Sequence, residues 1–283
     1  MSAVSPVANK LTHPWMRLLL WVAAALVFIA GVQLFVLSEQ TERFFAWTIK
    51  NPLTAAFLGA AYWTSCVLEG MAARERLWAR ARIAVPAVLL FTALTLTASL
   101  LHLDQFHLGS GFAPETTLLT WTWLAIYALV PPALLALLLF QAQLPGGDPP
   151  VATRIPTTVR VVISAQAAVL VSIGAMLFAL PQATLAVWPW PLTPLAARAV
   201  GAWLLGLGIA AAQVMLENEW ARARPVAASC VAFSLLQALA LARYPQTVHW
   251  ASGSAWFYLA FLASLLILGV AGWLAGRRPG AAA

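Results

Sequence analysis

Nine carboxylates, four histidines and two cysteines are the whole carboxylate, imidazole and thiol repertoire of this 283-residue chain. The densest group is His102-Leu103-Asp104-Gln105-Phe106-His107. His249 stands 142 residues after His107, and Arg243 lies shortly before it. Brought to one cleft, two imidazoles, a carboxylate and a guanidinium would orient the polar head of a ligand whose apolar part enters deeper. Three histidines with Asp104 would equally suffice for a metal, and histidine is a common haem ligand.

Glu69 is the one acid expected inside a long apolar run. Ionisable groups at membrane depth are costly and mark pathways or proton-uptake sites, so Glu69 is a candidate substrate-binding residue with the five outer ones. Arg74 and Arg76 follow closely and offer it a counter-charge. Pro131-Pro132 falls mid-run, where two missing N–H donors and two ring clashes predict a kinked or broken helix. Otherwise catalytic signals are missing: no His-Glu-x-x-His, no Walker loop, no Gly-x-Ser-x-Gly and no candidate triad. No catalytic residue, metal site or cofactor is therefore assigned from motifs.

Composition dictates what must position these residues. Hydrophobic residues make up 62% of the chain and charged ones 9%, against about 25% charged in a soluble domain. That excludes a soluble enzyme and a secreted scaffold. The basic pI of 10.3 does not imply nucleic acid, because the charges sit in short clusters between apolar runs. Two cysteines, Cys66 and Cys230, exclude a disulfide framework and read as reduced packing residues. The class is an integral membrane protein.

A span needs roughly 20 apolar residues. The charge-free stretches predict helices near 17–38, 52–73, 83–103, 117–141, 160–180, 195–216, 225–243 and 254–275, eight in all. The first is read as a retained helix, since no small-x-small cleavage site follows it. With the N-terminus inside, Arg43, Lys50, Arg198 and Arg243 are outer, and the other twelve of the 16 basic residues are inner. The positive-inside rule then places both termini in the cytoplasm, in a cytoplasmic membrane of bacterial inner-membrane type. Phe44, Phe45 and Trp47, and Trp188-Pro189-Trp190-Pro191, read as interfacial anchors of outer loops, with a short surface helix at 41–48.

The chain also repeats itself. An offset of 142 aligns residues 52–82 with 194–224 without a gap, and 11 of the 31 positions are identical. The match ends in Trp78-Ala79-Arg80-Ala81-Arg82 and Trp220-Ala221-Arg222-Ala223-Arg224. These basic pentapeptides read as topology signals, their tryptophans interfacial and their arginines snorkelling. Glu75 and Glu217 each stand five residues before an arginine, a spacing that offers a weak exposed ion pair. One further residue of offset places Arg17, Gly31, Leu34 and Phe35 on Arg160, Gly174, Leu177 and Phe178. A shorter offset pairs Trp121 with Trp256.

The expected architecture is all-α and polytopic: two tandem, parallel four-helix repeats, 1–147 and 148–283, about an axis along the membrane normal. Three function classes fit it. The first is a permease-like or small-molecule-binding protein for a neutral or lipidic molecule, in contact with membrane lipids. The second is a non-catalytic subunit or scaffold for partner membrane subunits. The third is a redox protein whose outer histidines hold haem or metal.

Overall fold

The structure is a computed structural model and describes residues 8–182 and 188–277. Eight helices of 17–30 residues dominate it. They are α1 (Pro14–Gly31, continued by a π-helical turn, Val32–Val36), α2 (Pro52–Arg74), α3 (Val85–Leu101) and α4 (Pro114–Gln143), then α5 (Thr157–Ala179), α6 (Pro194–Glu217), α7 (Trp220–Arg243) and α8 (Gly253–Ala275). Among the described residues there are isolated bridges but no strands. Six helices, all but α2 and α3, are long and apolar enough to cross a membrane. These six mark a multi-pass membrane protein. α3 is apolar but has only 17 residues, and α2 is long but buries most of its length in the protein.

Local chemistry sets the helix limits. Proline stands at the first turn of α1, α2, α3, α4 and α6, where its missing N–H costs nothing. Asn51 caps α2 by accepting from the Leu53 N–H at 3.0 Å, and Thr193 caps α6 by accepting from the Ala196 N–H at 3.3 Å. Asn218, left-handed at φ 47°, ends α6 and lets α7 start two residues later. That start lies five residues before the expected one, because Pro225 is accommodated inside α7.

Packing places α2 and α6 at the centre. α2 lies against α1 and α7, α6 lies against α5 and α3, and the pairs α3–α4 and α7–α8 flank them. This pattern maps onto itself when the first four helices are exchanged for the last four. Finer contacts follow the same spacing. A Cβ on Gly59 would collide with the backbone of Leu34 and Phe35, and one on Gly201 would meet Gly174 and Phe178. The Trp78 N–H donates to the Lys10 carbonyl at 3.0 Å, as the Trp220 N–H does to Thr153 at 3.1 Å. The turns Leu103–Gln105 and Pro245–Thr247 are both single 3-10 turns.

Three expectations need correction. The break expected in α4 at Pro131 and Pro132 is absent: the helix runs continuously from Pro114 to Gln143. Both prolines fix φ at a helical value, so the remaining hydrogen bonds on either side carry the helix past the two lost ones. The tryptophans of the outer loops are not surface anchors either. Trp47, Trp188 and Trp190 are 4%, 6% and 1% exposed, because their loops fold back into the bundle. Phe45, Trp47 and Trp123 form one ring cluster, and Trp188, Trp190 and Tyr258 form a second. The surface helix expected at 41–48 is a single turn, Thr41–Phe44.

Candidate functional site

The polar residues expected on the outer side have separate hydrogen-bond partners. His107 is buried at 1% exposure. Its Nδ1 lies 3.0 Å from the Phe45 carbonyl and its Nε2 2.9 Å from the Thr48 hydroxyl. A carbonyl only accepts, so Nδ1 carries the proton and Nε2 accepts from Thr48. Burial holds this imidazole below its ordinary pKa, partly offset by the bond to Phe45. Both ring nitrogens are engaged, and no lone pair remains for a metal or ligand. His107 thus has no free nitrogen to offer the cleft expected with His249. The reason is local: the 45–48 loop satisfies the ring.

His102 joins a different patch. Arg198 of α6 donates from Nη1 to His102 Nε2 at 2.6 Å, and Gln105 lies 3.2 Å from its Nδ1. Partial burial and then the Arg198 charge hold His102 below its ordinary pKa, against the pull of exposed Asp104. Arg243 sits elsewhere again. Its guanidinium donates to the Phe35 carbonyl, to Ser38 Oγ at 3.3 Å and to Tyr244 OH at 3.1 Å. His249 is exposed and donates its main-chain N–H to the Pro189 carbonyl at 2.9 Å. Among the described residues no three His, Cys, Asp or Glu side chains are grouped to hold a metal ion.

Charge concentrates at the opposite end. Arg82 spans Glu217 and Asp148, with Nη2 at 2.8 Å from Glu217 Oε2 and Nη1 at 3.0 Å from Asp148 Oδ1. Arg222 adds Nη1 to Glu217 at 2.9 Å and Nη2 to the Pro149 carbonyl at 2.7 Å, and its Nε lies beside Glu219. Arg82 and Arg222 therefore do not snorkel outward. They hold α3, the 148–152 segment and the α6–α7 turn together. Arg80 and Glu75, the counterparts of Arg222 and Glu217, form only a loose, partly exposed pair at 3.9 Å. Asp148 and Glu219 have no acidic counterpart in the first half, so the repeat gave no signal for this network.

Two cavities remain, and they are the candidate site. The first, about 890 Å³ with its open mouth included, lies among α1, α2, α3 and α4. The second, about 1040 Å³, lies among α5, α6, α7 and α8 with α2 and α3 behind. Their walls correspond: Ala23 and Gln166, Val27 and Leu170, Glu69 and Ala211, Val88 and Cys230, and Phe91 and Phe233 each line the respective cavity. Val88 and Phe91 line both. α1 touches α4 only sparsely, and α5 and α8 share no extended contact, so each cavity borders the gap between the first and fourth helix of its half.

Glu69 lines the first cavity, near the C-terminal end of α2. It is 2% exposed. Ser65 donates to its Oε1 at 2.7 Å, whereas Oε2 has no hydrogen-bond partner. The nearby guanidinium groups are turned elsewhere: Arg74 lies over the Trp21 ring at 5.3 Å, and Arg17 donates to the Ala73 carbonyl at 2.9 Å. Tyr62 and Tyr127, joined through their hydroxyls at 2.7 Å, line the same cavity. Residue spacing does not reveal this tyrosine pair, since it joins α2 to α4 across 65 positions. Searches of family models, curated proteins and solved structures return no match to the chain.

Proposed function

We propose that the chain is an eight-span, permease-like or small-molecule-binding membrane protein that takes lipidic or largely apolar molecules into two equivalent lateral cavities. The observation that carries this reading is the correspondence of the two cavity walls, each beside the loosely packed gap between the first and fourth helix of its half. In a membrane such a gap faces acyl chains, so a molecule dissolved in lipid enters without crossing water. Apolar walls with few polar groups suit a ligand of mostly hydrocarbon surface.

The fold supporting this reading is a tandem duplication, 1–147 and 148–283, with α2 and α3 counted among the spans. The repeated glycine crossings, loop bonds and turns favour it. Both copies enter the membrane in the same sense, with the basic ends and both termini in the cytoplasm. Native mass spectrometry of protein released from mild detergent tests the reading. The expected result is retained adducts of lipidic mass that a cavity-filling Ala211→Trp variant loses in part. A protein that carries no such adduct, and is isolated only with other membrane subunits, would overturn it in favour of a scaffold.

A further inference from the structure

We infer that the first cavity is selective for amphiphiles bearing a protonated amine, held by the free Oε2 of Glu69; this rests on the lateral-cavity reading above. The lining side chain is almost wholly buried, and one of its two oxygens is already used by Ser65. The other has no donor in the protein. No Lys, Arg or His among the described residues comes within ion-pair distance of Glu69. A buried carboxyl group left in this way is either neutralised by a proton or given its donor and counter-charge by the cavity, and a protonated amine supplies both.

The rest of the wall identifies the cation. Phe91, Trp123, Tyr62 and Tyr127 present aromatic rings to the same space, and ring faces attract organic ammonium groups. Hard metal ions are poorly served, since calcium takes six to eight oxygen ligands and magnesium near-ideal octahedral coordination. An ammonium needs only one charged acceptor and apolar or aromatic cover. On α4 the lining runs from Leu119 to Val130, about 16 Å at 1.5 Å per residue. That length accommodates an alkyl or aryl tail running outward from the Glu69 end. The corresponding position in the second cavity is Ala211, which leaves that cavity to neutral molecules.

The test uses the full-length protein in phosphatidylcholine nanodiscs with radiolabelled dodecylamine and, in parallel, 1-dodecanol. Saturable dodecylamine binding above empty nanodiscs is expected, weakened on the order of tenfold or more by Glu69→Gln, with dodecanol binding unchanged. Saturable dodecanol binding, with dodecylamine affinity indifferent to Glu69→Gln, would overturn the amine assignment and leave the cavity reading standing. Saturable binding of neither probe would overturn both. Should Glu69→Gln fail to fold, the wild-type protein answers the question. A lipophilic carbodiimide should modify Glu69, read by peptide mass spectrometry, and dodecylamine but not dodecanol should protect it. Absence of modification, or equal protection by both, would overturn the inference. Repeating the binding in phosphatidylethanolamine nanodiscs separates two sources of the same chemistry: competition identifies a lipid headgroup amine, and its absence a free amphiphile.

Discussion

Arg82 and Glu217 meet in a two-point contact between the turn that leads into α3 and the C-terminal end of α6, with Nε to Oε1 at 2.5 Å and Nη2 to Oε2 at 2.8 Å. Glu217 also receives Arg222, and both partners of that second pair are 5% exposed. Breaking a buried pair strands a charge, so Glu217→Gln should cost about 3 kcal/mol of stability. Glu75→Gln removes the equivalent carboxylate from a partly exposed pair and should cost less than about 1 kcal/mol. Denaturant titration of both variants in detergent checks the contrast. Equal losses would contradict it.

The helix crossings at Gly59 and Gly201 admit no side chain, because backbone of the neighbouring helix occupies the Cβ position. Gly59→Ala should lower stability by about 1–3 kcal/mol through forced separation of α1 and α2. Gly70→Ala is the matched control on the same helix, since its Cβ would meet only the Trp21 ring at 3.9 Å. Thermal unfolding should rank Gly59→Ala well below Gly70→Ala, which should match the wild type.

Acidification should loosen the end of the bundle that carries His102 and His107. His107 and His102 both have folded-state pKa values held below the ordinary imidazole value of 6.5. The unfolded chain then binds more protons, so stability rises with pH through this window. Their contribution is complete above about 6.5 and is lost as pH falls through the lowered values. His107→Gln should be less stable near neutrality yet show a shallower decline between about pH 6.5 and 5, measured by thermal unfolding across that range. An unchanged slope would show that His107 does not titrate with unfolding.

Topology gives the fourth expectation. In a background with Cys66 and Cys230 replaced by serine, cysteines at exposed Arg76 and Arg154 should react with an impermeant maleimide only after membrane permeabilisation. Cysteines at exposed Gln105 and Gln246 should react in intact cells. The reverse pattern would invert the orientation proposed above.

The sequence determined the class and the frame of this protein. Scarcity of charge and the length of the apolar runs follow from the bilayer as solvent, so helix number and approximate bounds were legible before any contact was known. The 142-residue offset was legible too, and Gly59 and Gly201, which it pairs, both stand at close helix crossings. Tertiary structure decided which polar groups are free. His107 reads as a ligand in isolation, but the 45–48 loop occupies both of its nitrogens. Glu69 has Arg74 close by in sequence, but that guanidinium lies over the Trp21 ring and Oε2 stays unpaired. Glu75 and Glu217 occupy equivalent places in two similar segments, and only the approach of Arg82 and Asp148 makes one of them a buried hub. Spacing along a helix fixes the face a residue occupies. Whether its polar atoms are satisfied depends on neighbours far away in the chain, and those are set by how the eight helices pack.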